Sequence, residues 1–212
     1  MGPLKKEPLI LVLTALAVFS IGWLIWNTYR PTAIVNLDSK GTAIVAFGDS
    51  LIQGVGASEG HDFVSLLAAR LGQSIVNLGK SGDTAADGLA RLDDVFRYDP
   101  RIVIVLLGGN DLLHGVPIDK TFADLDKIVT TIESRGAAVL LLGVRGGLLY
   151  DSYDSRFEAL AKARGTGFVP NVLAGLIGDQ EYMSDEVHPN DAGYAKIADK
   201  VEPVLKEMLA GR

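Results

Sequence analysis

The chain has 212 residues, of which 48% are hydrophobic and 22% charged, with a formal net charge of −6 and no cysteine. This length suits one domain with an appendage rather than two domains, and the composition is that of a folded protein. The 20 basic and 26 acidic residues form no basic stripe, so we expect no nucleic-acid partner. The lack of cysteine excludes disulfides, thiolate metal sites and cysteine nucleophiles, and we expect neither a metal nor a cofactor.

An uncharged apolar run from Leu9 to Trp26 predicts an N-terminal membrane helix. As a helix it would span roughly 27 Å, close to the thickness of the hydrocarbon core of a bilayer. Two lysines precede the run, and amphipathic aromatic residues cluster at its far end, at Trp23, Trp26 and Tyr29. The positive-inside rule then places the N-terminus in the cytoplasm and the remainder of the chain outside it.

A cleaved signal peptide is the main alternative for this run, and a buried helix of a soluble protein is a third. The best cleavage site, Ala15-Leu16-Ala17, lies inside the run, which continues to Trp26. A signal peptide normally has a shorter core that ends at small residues, so the sequence favours an uncleaved anchor. We predict an anchor over residues 1–30, a linker over 31–41 and one folded domain over 42–212.

Beyond the linker, short apolar runs alternate with amphipathic stretches. The strand-like runs are Ala43–Phe47, Ile75–Leu78, Ile102–Leu107 and Ala138–Leu142, with a weaker one near Gly167–Val169. Continuously apolar runs are typical of strands buried on both faces of a parallel sheet. Strands that alternate with helices imply right-handed βαβ units. The pattern therefore predicts a three-layer α/β/α sandwich around a mostly parallel sheet.

Helical spacing also makes specific predictions about where helices begin and end. The apolar residues of Leu89–Phe96 recur at helical intervals, which predicts one helix through this stretch. Asp83 and Asn190 are candidate N-caps. The last helix is expected over Ala192–Leu209, with a kink or restart at Pro203.

Polar motifs fall where the predicted strands lead into helices, and one more opens the last helix. In chain order they are Gly48-Asp49-Ser50-Leu51, then Asn77-Leu78-Gly79 with Ser81-Gly82-Asp83, then Gly108-Gly109-Asn110-Asp111, and finally Asp185-x-x-His188-Pro189-Asn190. Ligands bind at the carboxyl ends of the strands in open parallel sheets. We therefore expect these motifs to meet in one site.

In this order and spacing, the motifs resemble the four sequence blocks of the GDSL or SGNH hydrolase family. The run Ser81-Gly82-Asp83-Thr84, continued by Gly88-Leu89-Ala90-Arg91-Leu92, is similar to the branch of bacterial arylesterases, acyl-CoA thioesterase I and lysophospholipase L1. The resemblance spans residues 42–209. It implies the flavodoxin-like SGNH fold and an esterase that cleaves aryl or alkyl esters, lysophospholipids or thioesters.

Ser50, His188 and Asp185 have the chemistry of a catalytic triad. A serine hydroxyl needs a neighbouring base to attack a carbonyl, and His188 is the candidate base. Asp185 lies three residues earlier, so one turn of chain places its carboxylate beside the imidazole, which it would orient. Without the other motifs, Ser50 would be interpreted as an ordinary helix cap. Asp185 and His188 would be interpreted as a surface pair at the start of the last helix.

The resemblance also assigns an oxyanion hole. Its donors would be the backbone N–H groups of Ser50 and Gly79 and the side-chain amide of Asn110, and a glycine at position 79 lets the backbone approach closely. Loss of one such donor typically costs about 10²–10³ in rate.

Three further residues are candidates for the wall of the substrate pocket. His114 closely follows the third motif, and Leu148 and Leu149 follow the fourth strand at the same edge of the sheet. The ordinary alternatives are a loop side chain for His114 and packing on the next helix for the leucines.

The sequence therefore predicts an esterase of small ester or lipid substrates, held at a membrane by its N-terminal helix. Within enzymes, the alternative is an O-acetyl esterase of envelope polysaccharide or peptidoglycan. The apolar Leu148 and Leu149 favour acyl chains over acetyl groups. A non-catalytic binding or scaffold protein is the alternative of another class, and the presence of all three triad residues disfavours it.

Overall fold

The computed structural model describes residues 33–144 and 152–211, together with residues 16 and 18–20 near the N-terminus. Contacts divide the chain into two compact units, residues 1–33 and 34–212. In the first unit, residues 16 and 18–20 are helical, and the rest of the predicted Leu9–Trp26 helix lies outside the described residues. Among the helices that the structure describes, none combines the length and the apolar character needed to cross a membrane.

The second unit is built around one parallel sheet. Its described strands are β1 (Ala43–Gly48), β2 (Ile75–Gly79), β3 (Pro100–Leu106), β4 (Ala138–Leu142) and β5 (Gly167–Val169). They lie in the order β2-β1-β3-β4-β5, and every neighbouring pair is parallel. The predicted parallel α/β architecture is confirmed.

Helices cover both faces of this sheet. They are α1 (Ser50–Gln53), α2 (Phe63–Leu71), α3 (Ala85–Ala90), α4 (Gly109–Leu113), α5 (Ile118–Ser134), α6 (Ser152–Arg164) and α7 (Asp191–Leu209), with a 3-10 helix over Leu92–Tyr98. Helices α2 and α7 pack together, while α5 contacts both α3 and α6. Strand β4 is buried along its whole length, as expected for a strand covered on both sides.

Two local predictions about α3 are wrong. The helix predicted through Leu89–Phe96 is interrupted at Arg91, whose φ of −112° lies outside the α-helical range, and a 3-10 helix follows. Thr84, not Asp83, is the N-cap of α3, and it forms a capping box with Asp87. The Asp83 carboxylate bonds to the Arg91 side chain instead.

Helix α7 begins as predicted but does not break. The Asn190 side chain caps it by accepting a hydrogen bond from Gly193 N–H at 3.0 Å. The helix continues from Asp191 to Leu209 through Pro203 without a restart.

The order of the strands creates a crevice at one edge of the sheet. From β1 the chain crosses to β2 on one side and then returns past β1 to β3 on the other. Crossovers that leave in opposite directions open a space between the carboxyl ends of β1 and β3, where ligands of such sheets bind. Ser50 follows β1 and Asn110 follows β3, so the topology brings these two predicted site residues to the same crevice.

The first residues of the second unit are bonded to the opposite end of its sheet. Val35 N–H donates to the Gly165 carbonyl at 2.8 Å, just before β5. The Asn36 amide donates to the carbonyls of Glu133 and Ala137 at 2.7 and 3.1 Å, just before β4. Residues 35 and 36, within the predicted linker, are therefore bonded to the amino-terminal edge of the sheet.

Candidate active site

Ser50 lies at the sharp transition from β1 into α1. Asp49 has extended backbone angles and accepts a hydrogen bond from Leu51 N–H at 3.0 Å, so it caps the short helix that begins at Ser50. Ser50 is 7% exposed. Because Ser50 is the first residue of the helix, its backbone N–H has no acceptor within the helix. This N–H also has no other acceptor in the described part of the chain.

The structure brings Ser50, His188 and Asp185 together. His188 Nε2 lies 3.0 Å from Ser50 Oγ, and His188 Nδ1 lies 2.7 Å from Asp185 Oδ2. The other carboxylate oxygen of Asp185 accepts the backbone N–H groups of Val187 and His188 at 2.8 and 2.7 Å. A compact turn therefore fixes both the carboxylate and the ring that it contacts.

The two acidic side chains of this region have opposite shifts of pKa. The N–H of Val187, followed by the ring and N–H of His188, lowers the pKa of Asp185 to about 2, so this carboxylate is an anion at neutral pH. Burial raises the pKa of Asp49 to about 7, although the N–H of Leu51 opposes the shift. Asp185 is therefore the residue suited to stabilise a protonated imidazole.

The turn that carries His188 is held by the loop after α1. Gly56 has φ of +95°, and a Cβ at this position would lie 2.3 Å from Ser184 Oγ and 2.4 Å from the Pro189 carbonyl oxygen. Only glycine permits this close approach. Ser184 N–H and Oγ both donate to the His188 carbonyl, at 2.8 and 3.0 Å. The buried Tyr194 hydroxyl donates to the carbonyl of residue 55 at 2.7 Å, which ties this loop to α7.

Asn110 lies at the start of α4, after β3. Its side-chain Nδ2 donates to the Asp83 carbonyl at 2.9 Å. This bond uses one of the two amide hydrogens and orients the group, and the other hydrogen is left for a second acceptor. The neighbouring Asp111 is 1% exposed and accepts Ala85 N–H at 2.8 Å. The loops after β2 and β3 are thus bonded to each other.

The Gly79 N–H, which the resemblance assigned to the oxyanion hole, is bonded to a neighbouring side chain instead. This N–H donates to Asn77 Oδ1 at 2.9 Å, and a Cβ at Gly79 would lie 2.1 Å from Gln53 N, so the glycine permits packing on α1. It is absent from the cavity wall, whereas Gly82 lines the cavity, with φ of +85°. No acceptor bonds Gly82 N–H among the described residues. The spacing of the second motif was visible in sequence, but not which of its glycines faces the site.

A cavity of about 610 Å³ opens beside Ser50 and His188, a volume typical of small-molecule sites. Its polar lining includes Asp49, Ser50, Ser81, Asn110, Glu186 and His188, and its apolar lining includes Leu112, Leu113, Val144, Leu173, Ile177 and Val187. The polar groups therefore meet an apolar wall within one space.

The predicted pocket residues only partly fit this cavity. His114 is exposed at the C-terminal end of α4 and lies outside the lining, which Leu112 and Leu113 provide instead. Leu148 and Leu149 lie outside the described residues. Leu173 and Ile177, from the segment between β5 and α7, form another part of the apolar wall, and spacing along the sequence gave no reason to select them.

Comparisons with known proteins agree with this architecture. The chain matches the GDSL-like lipase/acylhydrolase family over residues 46–196. Esterase TesA of Pseudomonas aeruginosa is 32% identical over 191 residues, which cover 84% of this chain and 95% of the relative. Thioesterase 1/protease 1/lysophospholipase L1 of Escherichia coli K12 is 30% identical over 175 residues, which cover 78% and 84% of the two chains.

A solved structure of a relative agrees with the family match. The crystal structure of TesA superimposes with a TM-score of 0.74 at 32% identity, and the match covers 79% of this chain and 100% of that one. The protein therefore has the parallel-sheet α/β fold of the SGNH hydrolases. It belongs to the GDSL-like lipase/acylhydrolase family and is an esterase of the GDSL type, as the four motifs predicted.

Proposed function

We propose that the protein hydrolyses carboxylic esters through Ser50, His188 and Asp185, with an acyl-enzyme intermediate. The observation that carries this proposal is that His188 contacts Ser50 Oγ with one ring nitrogen and Asp185 with the other. His188 Nε2 takes the proton as Oγ attacks the ester carbonyl, and then gives it to the leaving alcohol or thiol. Water repeats the sequence on the acyl-enzyme, which releases the acid and restores the serine hydroxyl.

Asp185 would support this proton transfer without taking the proton itself. Its low pKa keeps it charged, so it favours the tautomer with hydrogen on Nδ1 and stabilises the imidazolium that forms on His188. The two backbone N–H groups that it accepts keep the carboxylate in place through the cycle.

The proposed oxyanion hole consists of Ser50 N–H, Gly82 N–H and the Asn110 amide. All three residues line the cavity. Neither backbone N–H has an acceptor among the described residues, and the Asn110 amide is oriented by Asp83 and retains one hydrogen. Donors fixed in advance stabilise a developing charge without reorganisation.

Esters of acyl chains longer than acetyl are the substrate class that the cavity favours. In the described part of the second unit, five large apolar side chains are exposed: Val35, Tyr98, Leu113, Ile177 and Val187. Three of these five, Leu113, Ile177 and Val187, line this one cavity. An acetyl group would leave that surface uncovered, whereas a longer acyl chain would cover it. We therefore favour aryl and alkyl esters, lysophospholipids or thioesters over envelope O-acetyl groups.

A panel of p-nitrophenyl esters of increasing acyl length tests this preference. We expect kcat/KM to rise from acetate to medium chains, by up to about fourfold for each methylene, because burial of a methylene contributes about 0.8 kcal/mol. Ile177→Ser should flatten this rise. Tyr98→Ser, which removes an exposed ring away from the cavity lining, is the matched control and should leave it unchanged. Activity confined to acetate would instead support an O-acetyl esterase.

We further propose a membrane anchor over residues 1–30, a linker over 31–41 and a catalytic domain over 42–212, on the outer side of the membrane. The support is the apolar Leu9–Trp26 run with its flanking lysines and aromatic residues. Full-length protein should stay in the membrane fraction through high-salt and carbonate washes. Deletion of residues 1–30 should release an active domain, because the contacts of Val35 and Asn36 remain.

Two measurements check the anchor and its orientation. Mass spectrometry of the native protein should show an uncleaved N-terminus, and a mature end near Val18 or beyond Trp26 would replace the anchor with a signal peptide. Protease added to intact spheroplasts should digest the catalytic domain. Survival of the domain until lysis would place it in the cytoplasm.

A further inference from the structure

Arg91 joins the loops of the active site but does not line the cavity. It lies where α3 ends, and its guanidinium carbon is 4.3 Å from the centre of the Phe47 ring. Nε donates to the Asp83 carboxylate, Nη1 to the Leu78 carbonyl at 3.0 Å and Nη2 to the Gly48 carbonyl at 2.8 Å. Each nitrogen of the side chain thus has an acceptor, and the three acceptors belong to different parts of the site.

Two of the three acceptors, Gly48 and Asp83, lie close in sequence to a backbone donor of the proposed oxyanion hole. Gly48 lies two residues before Ser50, and Asp83 directly follows Gly82. The carbonyl of the same Asp83 accepts the bond that orients the Asn110 amide. One planar cation therefore fixes the backbone on both sides of the hole and, through Asp83, its side-chain donor.

Among the residues that the structure describes, the hydrogen bond that the Asp83 carboxylate accepts comes from Arg91. It is 4% exposed, and α3 is capped by Thr84 and Asp87 rather than by Asp83. The second cation near it is Lys80, at 3.8 Å, whose side chain is 68% exposed. A buried carboxylate requires a partner, and the close partner is Arg91.

We propose that Arg91 is a positioning residue that holds the donors of the oxyanion hole at their working distances. The inference rests on the proposed function and deepens it. Lysine keeps the positive charge but lacks the planar fork that reaches several acceptors at once. Arg91→Lys should therefore preserve the charge next to Asp83 and loosen the connection to Gly48 and Leu78.

The test is steady-state hydrolysis of a p-nitrophenyl ester by full-length Arg91→Lys. We expect kcat to fall by about 10- to 100-fold with KM changed by less than about threefold, because misplacement of groups by an ångström or less acts on the transition state. The matched control is Arg164→Lys, which alters another arginine–aspartate pair, between Arg164 of α6 and Asp126 of α5, whose side chains lie 2.6 Å apart. It should retain wild-type kcat.

A double-mutant cycle with Asn110→Ala separates positioning from a general loss of structure. If Arg91 acts through the oxyanion hole, the two losses in kcat should combine to clearly less than their product. The proposal would be overturned if the loss of kcat in the double variant equalled the product of the two single losses. An unchanged kcat in Arg91→Lys, or a change in its KM alone, would also overturn it. If Arg91→Lys does not fold, Asp83→Asn, which weakens the same ion pair, is measured in the same cycle and judged by the same outcomes.

Wild type and Ser50→Ala are assayed beside these variants. If the wild type is active and Ser50→Ala is not, the proposed function is established. A result of the double-mutant cycle that contradicts the positioning role then concerns Arg91 alone. Inactive wild type, or Ser50→Ala that remains active, would instead contradict the proposed function.

Discussion

Ser50→Ala should reduce ester hydrolysis by at least about 10⁴-fold, since loss of a triad nucleophile removes the covalent route entirely. Ser50 Oγ contacts His188 Nε2 at 3.0 Å, and the substitution removes only that oxygen. The helix cap that begins α1 comes from the Asp49 side chain, so the local backbone should persist. The measurement is kcat/KM with a p-nitrophenyl ester, together with circular dichroism and a thermal melt.

Ser134→Ala is the matched control for this substitution. Ser134 is exposed at the end of α5, and its hydroxyl donates to the Thr131 carbonyl, far along the chain from any of the four motifs. This variant should keep wild-type activity. If Ser50→Ala retained more than a few per cent of the activity while folded, the nucleophile would have to be another group.

Asn110→Ala should give the second largest loss, about 10²–10³ in kcat with little change in KM. The reason is that an oxyanion donor strengthens its bond as charge develops on the carbonyl oxygen, and therefore acts mainly in the transition state. Initial rates over a range of substrate concentrations separate the two constants. An increase in KM at constant kcat would make Asn110 a contact of the ground state and would remove it from the proposed hole.

Strands β1 and β4 were predictable because their residues form continuous apolar runs. The runs Ala43–Phe47 and Ala138–Leu142 are apolar at every position, and the structure buries all of these residues except the partly buried Ala43. Once the strands are parallel, their carboxyl ends share one edge. The meeting of Ser50 with Asn110 at that edge follows from topology rather than from any property of the two side chains.

The parts that sequence reasoning missed depend on competition between hydrogen bonds. Gly79 and Gly82 both lie in the second motif, but Asn77 Oδ1 accepts the Gly79 N–H, while no acceptor bonds the Gly82 N–H in the part of the chain that the structure describes. Asp83 is a good N-cap in isolation, yet its carboxylate bonds to Arg91 and Thr84 caps α3 instead. Local spacing cannot show which of two suitable partners a polar group takes.

The apolar cavity wall was missed for a different reason. Leu173 and Ile177 lie in an irregular segment between β5 and α7, where no periodicity points to their orientation. The Lys200 ammonium, from α7, donates to the carbonyls of residues 172 and 174 at 2.9 and 2.7 Å. A contact made across the fold therefore helps to fix this wall, and spacing along the chain does not reveal it.

Covalent labelling with a fluorophosphonate tests the central claim most directly. The reagent is attacked by an activated serine with loss of fluoride, and peptide mass spectrometry then identifies the modified residue. We expect one label per chain, on Ser50, with loss of esterase activity in proportion to labelling, and no label on Ser50→Ala. A label on another serine, or full activity after complete labelling of Ser50, would contradict the assignment of Ser50 as the nucleophile.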